Sequence, residues 1–437
     1  MTGTGETSET RRPQCVRQDD VRGSATRDGG DDRKGQGFAG DARRADMSAF
    51  EGFRCTDCGT TTDDESAMRC PECAGSLDAQ YDLSTDFSAA AFADRSGGWK
   101  HRELLPFVPD GMGEGATPLV EAPRLAEELG VGRVLVKNEA HNPTGSVTDR
   151  GLALVAEAAR RAEADTLALA TTGDDGQSAA AYAARAGLLS RSFVPSRATF
   201  ISKAMINVHG GDMRVVEGRF DDARATYEKE RESMPAADEE VWFPAGPFES
   251  PFRHEGTKPI YYEIAEELGW TAPDAVVVPV GHGATIAGIW KGARELETAD
   301  LLEETPELYA AQPDGCAPVA EAVEDGRDPE PWDVPDTVVG SLEIPDPAGG
   351  LAAAEAVRAS GGRGVAVDDQ DLLDSAATVA QHEGLEISVA CGTAAAGAWD
   401  LADAGSFGPD DTVVILNTAM GNKDADIVRS RLMSQGI

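Results

Sequence analysis

Short runs of β-branched residues alternate with longer amphipathic segments from about residue 82 to the end of the chain. Strands that are joined through glycine-bearing turns and helices form parallel sheets with helices on both faces. The sequence therefore predicts a two-lobed, doubly wound α/β fold over residues 83–437, with the smaller lobe at roughly 144–230. The predicted strands are 133–136, 166–170, 213–216, 275–280 and 412–417, and the predicted helices include 152–162, 178–186 and 259–268.

The first 46 residues differ in composition from the rest of the chain. They are rich in Arg, Asp, Gly, Ser and Thr and contain almost no apolar side chains. Such a stretch cannot bury enough surface to offset the entropy lost on ordering, so we expect residues 1–46 to be disordered. A segment typical of folded protein begins at Met47. We favour Met47 as the natural translation start, and a solvated extension is the alternative.

The charge of the chain is strongly acidic, with 77 Asp and Glu against 39 Lys and Arg and a net charge of -38. Only 8 residues are lysine. A surface of this kind stays hydrated when salt screens charge, which indicates adaptation to a high-salt cytoplasm. A patch for a cationic partner is the alternative, but the acidity is spread along the whole chain. The same charge opposes binding to nucleic acids or to an anionic membrane surface.

The apolar segments and the cysteines indicate a cytoplasmic protein. No apolar run reaches the roughly 18 residues that span a bilayer, and no signal-peptide pattern follows the N-terminus. Three of the seven cysteines, Cys15, Cys316 and Cys391, are scattered, and the other four form two CxxC pairs. This pattern does not predict a framework of disulfides.

The two CxxC pairs are Cys55 with Cys58 and Cys70 with Cys73, and 11 residues separate them. Four thiolates in this arrangement suit Zn²⁺ in a closed tetrahedral site, so residues 50–82 are predicted to form a structural zinc ribbon. Because the segment has few apolar residues, bound metal would supply its folding energy. The alternatives are two unliganded, reduced pairs or a redox-active dithiol. The segment shows no basic or aromatic surface for nucleic acid.

Five segments carry a pattern that extends over most of the chain. Residues 137–151 read KNEAHNPTGSVTDRG, and 171–187 begin TTGDDGQS. Residues 255–270 begin with EGTK, residues 278–285 read VPVGHGAT, and residues 418–424 read TAMGNKD. In the same order, these segments resemble motifs of the threonine-synthase branch of the fold type II pyridoxal-phosphate enzymes, over about residues 53–430. The resemblance implies pyridoxal phosphate as cofactor, a phosphorylated amino acid as substrate, a homodimer and, as in several archaeal and bacterial members, a zinc ribbon.

Thr148 stands where the resemblance implies the lysine that carries the cofactor as an imine and shuttles protons. An imine needs a nucleophilic nitrogen, which a threonine hydroxyl lacks. The other lysines near the motifs align with positions that do not form the imine; they are Lys137, Lys203, Lys258 and Lys423.

The residues that the resemblance places around the cofactor have also changed. Asp174 replaces an asparagine that donates a hydrogen bond to the cofactor's phenolate, and an ionised carboxylate can only accept. Asp175 adds a second negative charge. In the loop that the resemblance places around the cofactor's phosphate, Ala284 and Thr285 replace Gly and Asn. Glycine is favoured in such a loop because the backbone approaches the phosphate closely. The full set of implied cofactor-binding positions is Asp174, Gly281, His282, Gly283, Ala284, Thr285 and the retained Thr418.

These observations predict a threonine synthase-like protein that has lost or altered the phosphohomoserine-to-threonine reaction. One alternative is an active pyridoxal-phosphate-dependent lyase, a threonine synthase with a relocated lysine. Another is a pseudoenzyme that binds a metabolite or a partner in the inherited cleft. A third is cofactor-free chemistry built on Asp174, Asp175, Thr148 and Cys391, although Cys391 is better read as a buried small hydrophobe. The histidines His254, His282 and His382 are interpreted as packing or surface residues.

Overall fold

A computed structural model of the protein describes residues 48–84, 87–89, 92, 95–234 and 240–434. The tail predicted to be disordered, residues 1–46, and the proposed start at Met47 lie outside these residues, as does Cys15. Within the described residues, no helix has both the length and the apolar character that a membrane crossing requires.

The first described module is a small antiparallel sheet of strands β1 (Phe50–Cys55), β2 (Thr61–Thr62) and β3 (Leu77–Tyr81), in the order β2-β1-β3. The two CxxC pairs lie at its turns. Phe53 of β1 is buried and packs edge-on against Phe252, with 5.8 Å between the ring centroids. The module is therefore held against the rest of the protein by apolar contact.

The larger of the two remaining sheets has six strands in the order β12-β11-β10-β13-β5-β4. Its neighbouring strands are parallel, except that β4 runs antiparallel to β5. All five residues of β10 are buried, as is typical of a parallel strand that helices cover on both faces. The strands are β4 (Leu119–Glu121), β5 (Arg133–Asn138), β10 (Ala275–Pro279), β11 (Glu307–Pro313), β12 (Gly364–Val367) and β13 (Thr412–Asn417).

The smaller sheet is parallel throughout and has the order β8-β7-β6-β9. Its strands are β6 (Thr166–Ala170), β7 (Leu189–Pro195), β8 (Asp212–Val216) and β9 (Trp242–Pro244). The predicted α/β fold with parallel sheets is confirmed.

Helices pack around these sheets and connect their strands. They are α1 (Pro123–Leu129), α2 (Thr148–Arg161), α3 (Asp174–Ala186), α4 (Phe200–Val208), α5 (Phe220–Ser233), α6 (Phe252–Thr257), α7 (Pro259–Glu267), α8 (Ala284–Thr298), α9 (Pro318–Glu324), α10 (Gly350–Ser360), α11 (Asp369–Glu383), α12 (Val389–Asp403) and α13 (Ala425–Ser434). Single 3₁₀ turns occur at Arg102–Leu104, Glu139–His141, Asp314–Cys316 and Gly421–Asp424.

Four buried charges fix the start of α2. Arg150 donates to both carboxylate oxygens of Glu139 and of Glu263, over 2.6–2.8 Å. Lys137 Nζ lies 2.9 Å from Glu263 as well. All four side chains are at most 2% exposed. Because Arg150 lies two residues after Thr148, this buried ion cluster positions the segment that carries Thr148.

Candidate functional site

A cavity of about 630 Å³ lies where loops of the two larger sheets meet. Its walls include the loops that follow β6 and β7 of the smaller sheet and those that follow β10 and β13 of the six-stranded sheet. Ligands of open α/β proteins bind in the crevice beyond the carboxyl ends of such strands. The volume is also in the range of small-molecule sites. The cavity is the candidate functional site. Its walls bring together the positions that the motifs singled out, which are Thr148, Asp174, Gly281, His282, Gly283, Ala284, Thr285 and Thr418.

Thr148 begins α2 and faces this cavity. Its hydroxyl donates to Ser146 Oγ over 3.2 Å. Ser146 in turn forms an antiparallel bridge with Ala419, which ties this wall to the loop after β13. A threonine hydroxyl donates and accepts hydrogen bonds but provides no amine. The wall at this point is therefore polar and has no nucleophilic nitrogen.

The neighbouring Asp149 is buried behind the cavity wall. Its carboxylate accepts hydrogen bonds from the Thr144 N–H, from the Thr144 hydroxyl and from the Ser178 hydroxyl, over 2.5–2.7 Å. Burial raises the pKa of Asp149 to about 6, even though these hydrogen bonds act in the opposite direction. The bonds join the starts of α2 and α3, so they fix the relative positions of Thr148 and Asp174.

Both aspartates at the start of α3 are paired with cations. Lys423 Nζ donates to Asp174 Oδ1 and to Gln177 Oε1, each over 3.0 Å. Arg253 donates to Asp175 Oδ1 over 2.6 Å. The sequence predicted that these carboxylates oppose an anionic ligand. Their pairing weakens that opposition, since each negative charge has a positive charge within hydrogen-bonding distance.

The turn from β10 into α8 forms another wall. Gly283 has φ of 89°, and a Cβ at this position would lie 2.6 Å from the carbonyl oxygen of Gly349, so the turn requires glycine here. The first turn of α8, from Ala284, has neither a side-chain cap nor an acidic residue. The first amides of a helix lack intrahelical partners and carry partial positive charge. This end of α8 can therefore hold an anionic group.

His282 lies in the same turn and packs edge-on against Phe220, with 4.9 Å between the ring centroids. Burial lowers the pKa of His282 to about 4, while Asp175 acts in the opposite direction. The imidazole is therefore neutral at physiological pH. Its Nδ1 atom is buried with no hydrogen-bond partner in the described part of the chain. These features agree with the interpretation of His282 as a packing residue.

The loop after β13 contributes Thr418, Lys423 and Asp424 to the cavity. The carbonyl oxygen of Thr418 accepts a hydrogen bond from the Val147 N–H over 2.8 Å. Asp424 accepts one from the Val389 N–H over 2.9 Å. Burial, with repulsion from Asp174, raises the pKa of Asp424 to about 7. Its carboxyl therefore changes charge near neutral pH inside the cavity.

Sequence reasoning missed several wall residues. Lys423 and Asp424 belong to a motif that was recognised, but its position alone did not show that both side chains reach the cavity. Glu343 pairs with Arg219 and lies 3.6 Å from Arg197. No motif contained these three residues, which lie far apart in sequence. The pairs connect the loop after α9 with the smaller lobe at the edge of the cavity.

The second candidate site is the cysteine module. The Sγ atoms of Cys55, Cys58, Cys70 and Cys73 all lie within 4.8 Å of one another. The Cys55–Cys73, Cys58–Cys70 and Cys58–Cys73 separations are 3.5, 3.6 and 3.4 Å. Four sulfurs at about 2.3 Å from a tetrahedral Zn²⁺ would lie about 3.8 Å apart. The four sulfurs are therefore close enough together to share one metal ion.

A charged cluster connects this module with α8. Asp78 of β3 accepts a hydrogen bond from Lys291 Nζ of α8 over 2.6 Å and lies 3.3 Å from His254 Nε2. The Tyr81 hydroxyl donates to Glu255 over 2.6 Å, and Lys291 also pairs with Glu255. Asp78, His254 and Glu255 could in principle hold a metal ion. Because the Lys291 ammonium already pairs with both carboxylates, we interpret this group as an ion-pair cluster.

Comparison with known proteins identifies the family. Residues 111–419 match the pyridoxal-phosphate dependent enzyme family, and the chain belongs to that family. It is 33% identical over 383 residues to a threonine synthase of Methanocaldococcus jannaschii, across 85% of this chain and 93% of the relative. A threonine synthase of Methanosarcina acetivorans is 33% identical over 384 residues, across 86% of this chain and 93% of the relative. Maize serine racemase has a similar fold, with a TM-score of 0.60 at 16% identity over 74% of this chain and 94% of that structure.

The family implies pyridoxal phosphate, and the cavity fits that group only in part. The uncapped start of α8 suits its phosphate. The covalent anchor, however, does not fit, because Thr148 has no amine. Among the described residues that line the cavity, Lys423 is the one lysine, and its ammonium is held between Asp174 and Gln177. The residues present therefore do not fit a cofactor that is carried as an imine at position 148.

Proposed function

We propose that this chain is a threonine synthase-like protein that has lost or altered the phosphohomoserine-to-threonine reaction and binds a phosphorylated small metabolite in the cavity. The observation that carries the proposal is the hydroxyl of Thr148 at the wall where the family resemblance places an amine. Without that amine the resting imine cannot form at this position. The start of α8 would still hold a phosphate.

A second candidate function is that of an active pyridoxal-phosphate-dependent lyase with a relocated lysine. Lys423 favours it, because its Nζ reaches the same cavity. Its pairing opposes it, since Nζ is already held by hydrogen bonds to Asp174 and Gln177 and is not free to attack a carbonyl. We therefore rank this candidate second.

One experiment separates the two candidates. The full chain is mixed with pyridoxal phosphate, treated with borohydride and mapped by peptide mass spectrometry, and threonine formation from phosphohomoserine is assayed in parallel. We expect no reduced adduct and no turnover in the unmodified protein. An adduct on Lys423 that Lys423→Gln abolishes, together with turnover, would establish the second candidate instead.

Variants at position 148 extend the test. Thr148→Lys should form an adduct at that position, and adding Asp174→Asn and Ala284→Gly should tighten cofactor binding. Asparagine offers a donor where a carboxylate stood, and glycine lets the loop backbone approach the phosphate. Thr148→Ser is the matched control and should behave like the unmodified protein. Turnover in the unmodified protein would contradict the proposal directly.

Binding of the proposed ligand is tested by calorimetry with O-phosphohomoserine. Thr285→Glu places a carboxylate in the first turn of α8 and should weaken binding at least about tenfold, since the two anions repel each other. Thr298→Glu makes the same change at the last, exposed residue of α8 and should leave binding unchanged. Equal effects of the two substitutions would place the phosphate elsewhere.

Two further features belong to the proposal. We propose that Cys55, Cys58, Cys70 and Cys73 hold one structural Zn²⁺, which the spacing of their sulfurs supports. We also propose that the chain forms a homodimer, as the family resemblance implies. The acidic composition supports a protein that works at high salt.

A further inference from the structure

Helix α6 joins two walls of the cavity. Arg253 in this helix donates to Asp175 Oδ1, at the start of α3, over 2.6 Å, and its side chain is part of the cavity wall. At the end of the helix, the hydroxyl of Thr257 lies 3.2 Å from the carbonyl oxygen of Ala284, the first residue of α8. All six residues of α6 are buried. The position of α6 therefore sets the position of one cation of the cavity and of the turn that would hold a phosphate.

The cysteine module, which consists of β1, β2 and β3, contacts the same helix. Phe53 of β1 packs edge-on against Phe252, the residue before Arg253, with 5.8 Å between the ring centroids. The Tyr81 hydroxyl of β3 donates to Glu255 over 2.6 Å, and Glu255 is fully buried. The two contacts lie on either side of Arg253 in the sequence of α6. The module therefore holds the part of the helix that carries this arginine.

A network of ion pairs extends this contact to α8. Lys291 Nζ donates to Asp78 Oδ1 over 2.6 Å and to the carbonyl oxygen of Ala79 over 2.7 Å, and it also pairs with Glu255. If the module leaves, Lys291 loses two acceptors and Glu255 loses the Tyr81 hydroxyl. A buried charged group that loses a partner is strongly destabilised. Helices α6 and α8 therefore depend on the module for their arrangement around the cavity.

The module itself depends on its four cysteines, because it has few apolar residues and bound metal would supply its folding energy. We propose that the cysteine module controls ligand binding in the cavity: with its metal bound it fixes α6 and Arg253, and on loss of the metal Arg253 separates from Asp175. The cavity then loses a positive charge and gains an unpaired carboxylate, and both changes oppose an anionic ligand. The inference rests on the phosphate binding and the zinc site proposed above, and it makes the first dependent on the second.

The first test needs no ligand. Hydrogen exchange of the full chain is followed by mass spectrometry before and after treatment with a zinc chelator. Exchange should rise at least about tenfold in α6 and in residues 171–178, and it should stay unchanged in the buried strand β10. The double variant Asp78→Asn with Tyr81→Phe removes polar contacts of the module with α6 and α8 but keeps the cysteines, and it should raise the same exchange. Asp64→Asn is the matched control, since that exposed carboxylate accepts hydrogen bonds from Ser66 within the module.

The second test measures O-phosphohomoserine binding by calorimetry. Chelation should raise the dissociation constant at least about fivefold. In Arg253→Gln, which has no cation to displace, binding should already be weaker, and chelation should change it by less than about twofold. A merely structural role of the module would leave the effect of chelation the same in both proteins. Because coupling between two sites is reciprocal, the bound ligand should also tighten zinc binding by the same factor.

Several outcomes would overturn the inference. One is unchanged exchange in α6 and in residues 171–178, after chelation and in the double variant alike. Another is exchange that rises equally in β10, because the module would then stabilise the whole chain rather than the cavity. An equal effect of chelation on the unmodified protein and on Arg253→Gln would also refute it. If exchange rises as expected but the intact protein does not bind O-phosphohomoserine, the proposed function fails and the control of α6 by the module stands. If metal analysis finds no zinc, the double variant alone decides.

Discussion

Replacing Glu263 with Gln tests the buried ion cluster that positions Thr148. Glu263 accepts hydrogen bonds from Arg150, over 2.7 Å, and from the Ala116 and Thr117 amides, and its carboxylate lies 2.9 Å from Lys137 Nζ. The substitution keeps the shape of the side chain but removes its charge. Arg150 then keeps Glu139 as its one buried carboxylate, and Lys137 keeps only the partly exposed Glu267, 3.3 Å away. The new amide also turns a donor toward other donors.

The expected loss of stability is large because the cluster is dry. Glu263 is 2% exposed and Arg150 is 1% exposed, so water cannot compensate for the missing charge. Removing one partner of a buried pair costs about 3–5 kcal/mol. Glu121→Gln is the matched control. It breaks the pair with Arg133. The side chains of Arg133 and Glu121 are 48% and 68% exposed, and a surface pair of this kind contributes about 0–1 kcal/mol.

The assay is urea unfolding at neutral pH and constant KCl, followed by circular dichroism. Burial acts to raise the pKa of Glu263, but Arg150 and Lys137 outweigh it and hold that pKa well below its usual range. The contribution of this carboxylate is therefore complete above the unfolded pKa of about 4.3 and is lost as the pH falls through the folded pKa. A loss no larger than that of Glu121→Gln, at an unchanged slope with urea, would refute the reasoning.

Two further predictions concern the metal site and the cavity. Elemental analysis should find one zinc per chain. Cys58→Ser or Cys73→Ser should lower the zinc content and make residues 50–82 susceptible to protease. Cys316→Ser, at a buried cysteine elsewhere, should change neither the zinc content nor the protease susceptibility. A module that stays folded without metal would contradict this assignment. Phosphate binding measured by calorimetry should tighten as the pH falls through about 7, because Asp424 then loses its charge. Asp424→Asn should flatten that profile, and an unchanged profile would exclude Asp424 as its source.

Much of the fold could be predicted because buried parallel strands have a strong local pattern. The strands at 166–170 and 412–417 have the predicted bounds, and the predicted strand at 213–216 differs from β8 by one residue. Strand β7 (Leu189–Pro195) was not predicted, since its sequence LSRSFVP alternates with serine and arginine. Its burial comes from its place between β6 and β8 rather than from its own residues.

The candidate site was predictable only where a motif contained it. The turn before α8 and the four cysteines have fixed local spacings, so their proximity followed from the sequence. The pair of Lys423 with Asp174 joins residues that are 249 positions apart, and no local pattern connects them. The charge balance of the cavity therefore depends on the tertiary fold. For the same reason the sequence could not show that Asp174 and Asp175 are paired with Lys423 and Arg253.

The placement of lysine in this chain bears on the threonine at position 148. Lys137 and Lys258 are fully buried, and Lys423 and Lys291 are 8% and 15% exposed, each beside a carboxylate. Selection for a hydrated surface acts on exposed amines, whereas these four neutralise charges that would otherwise be buried unpaired. The few lysines of this chain thus include the ones on which its buried carboxylates depend. A general scarcity of lysine therefore does not account for the threonine at position 148.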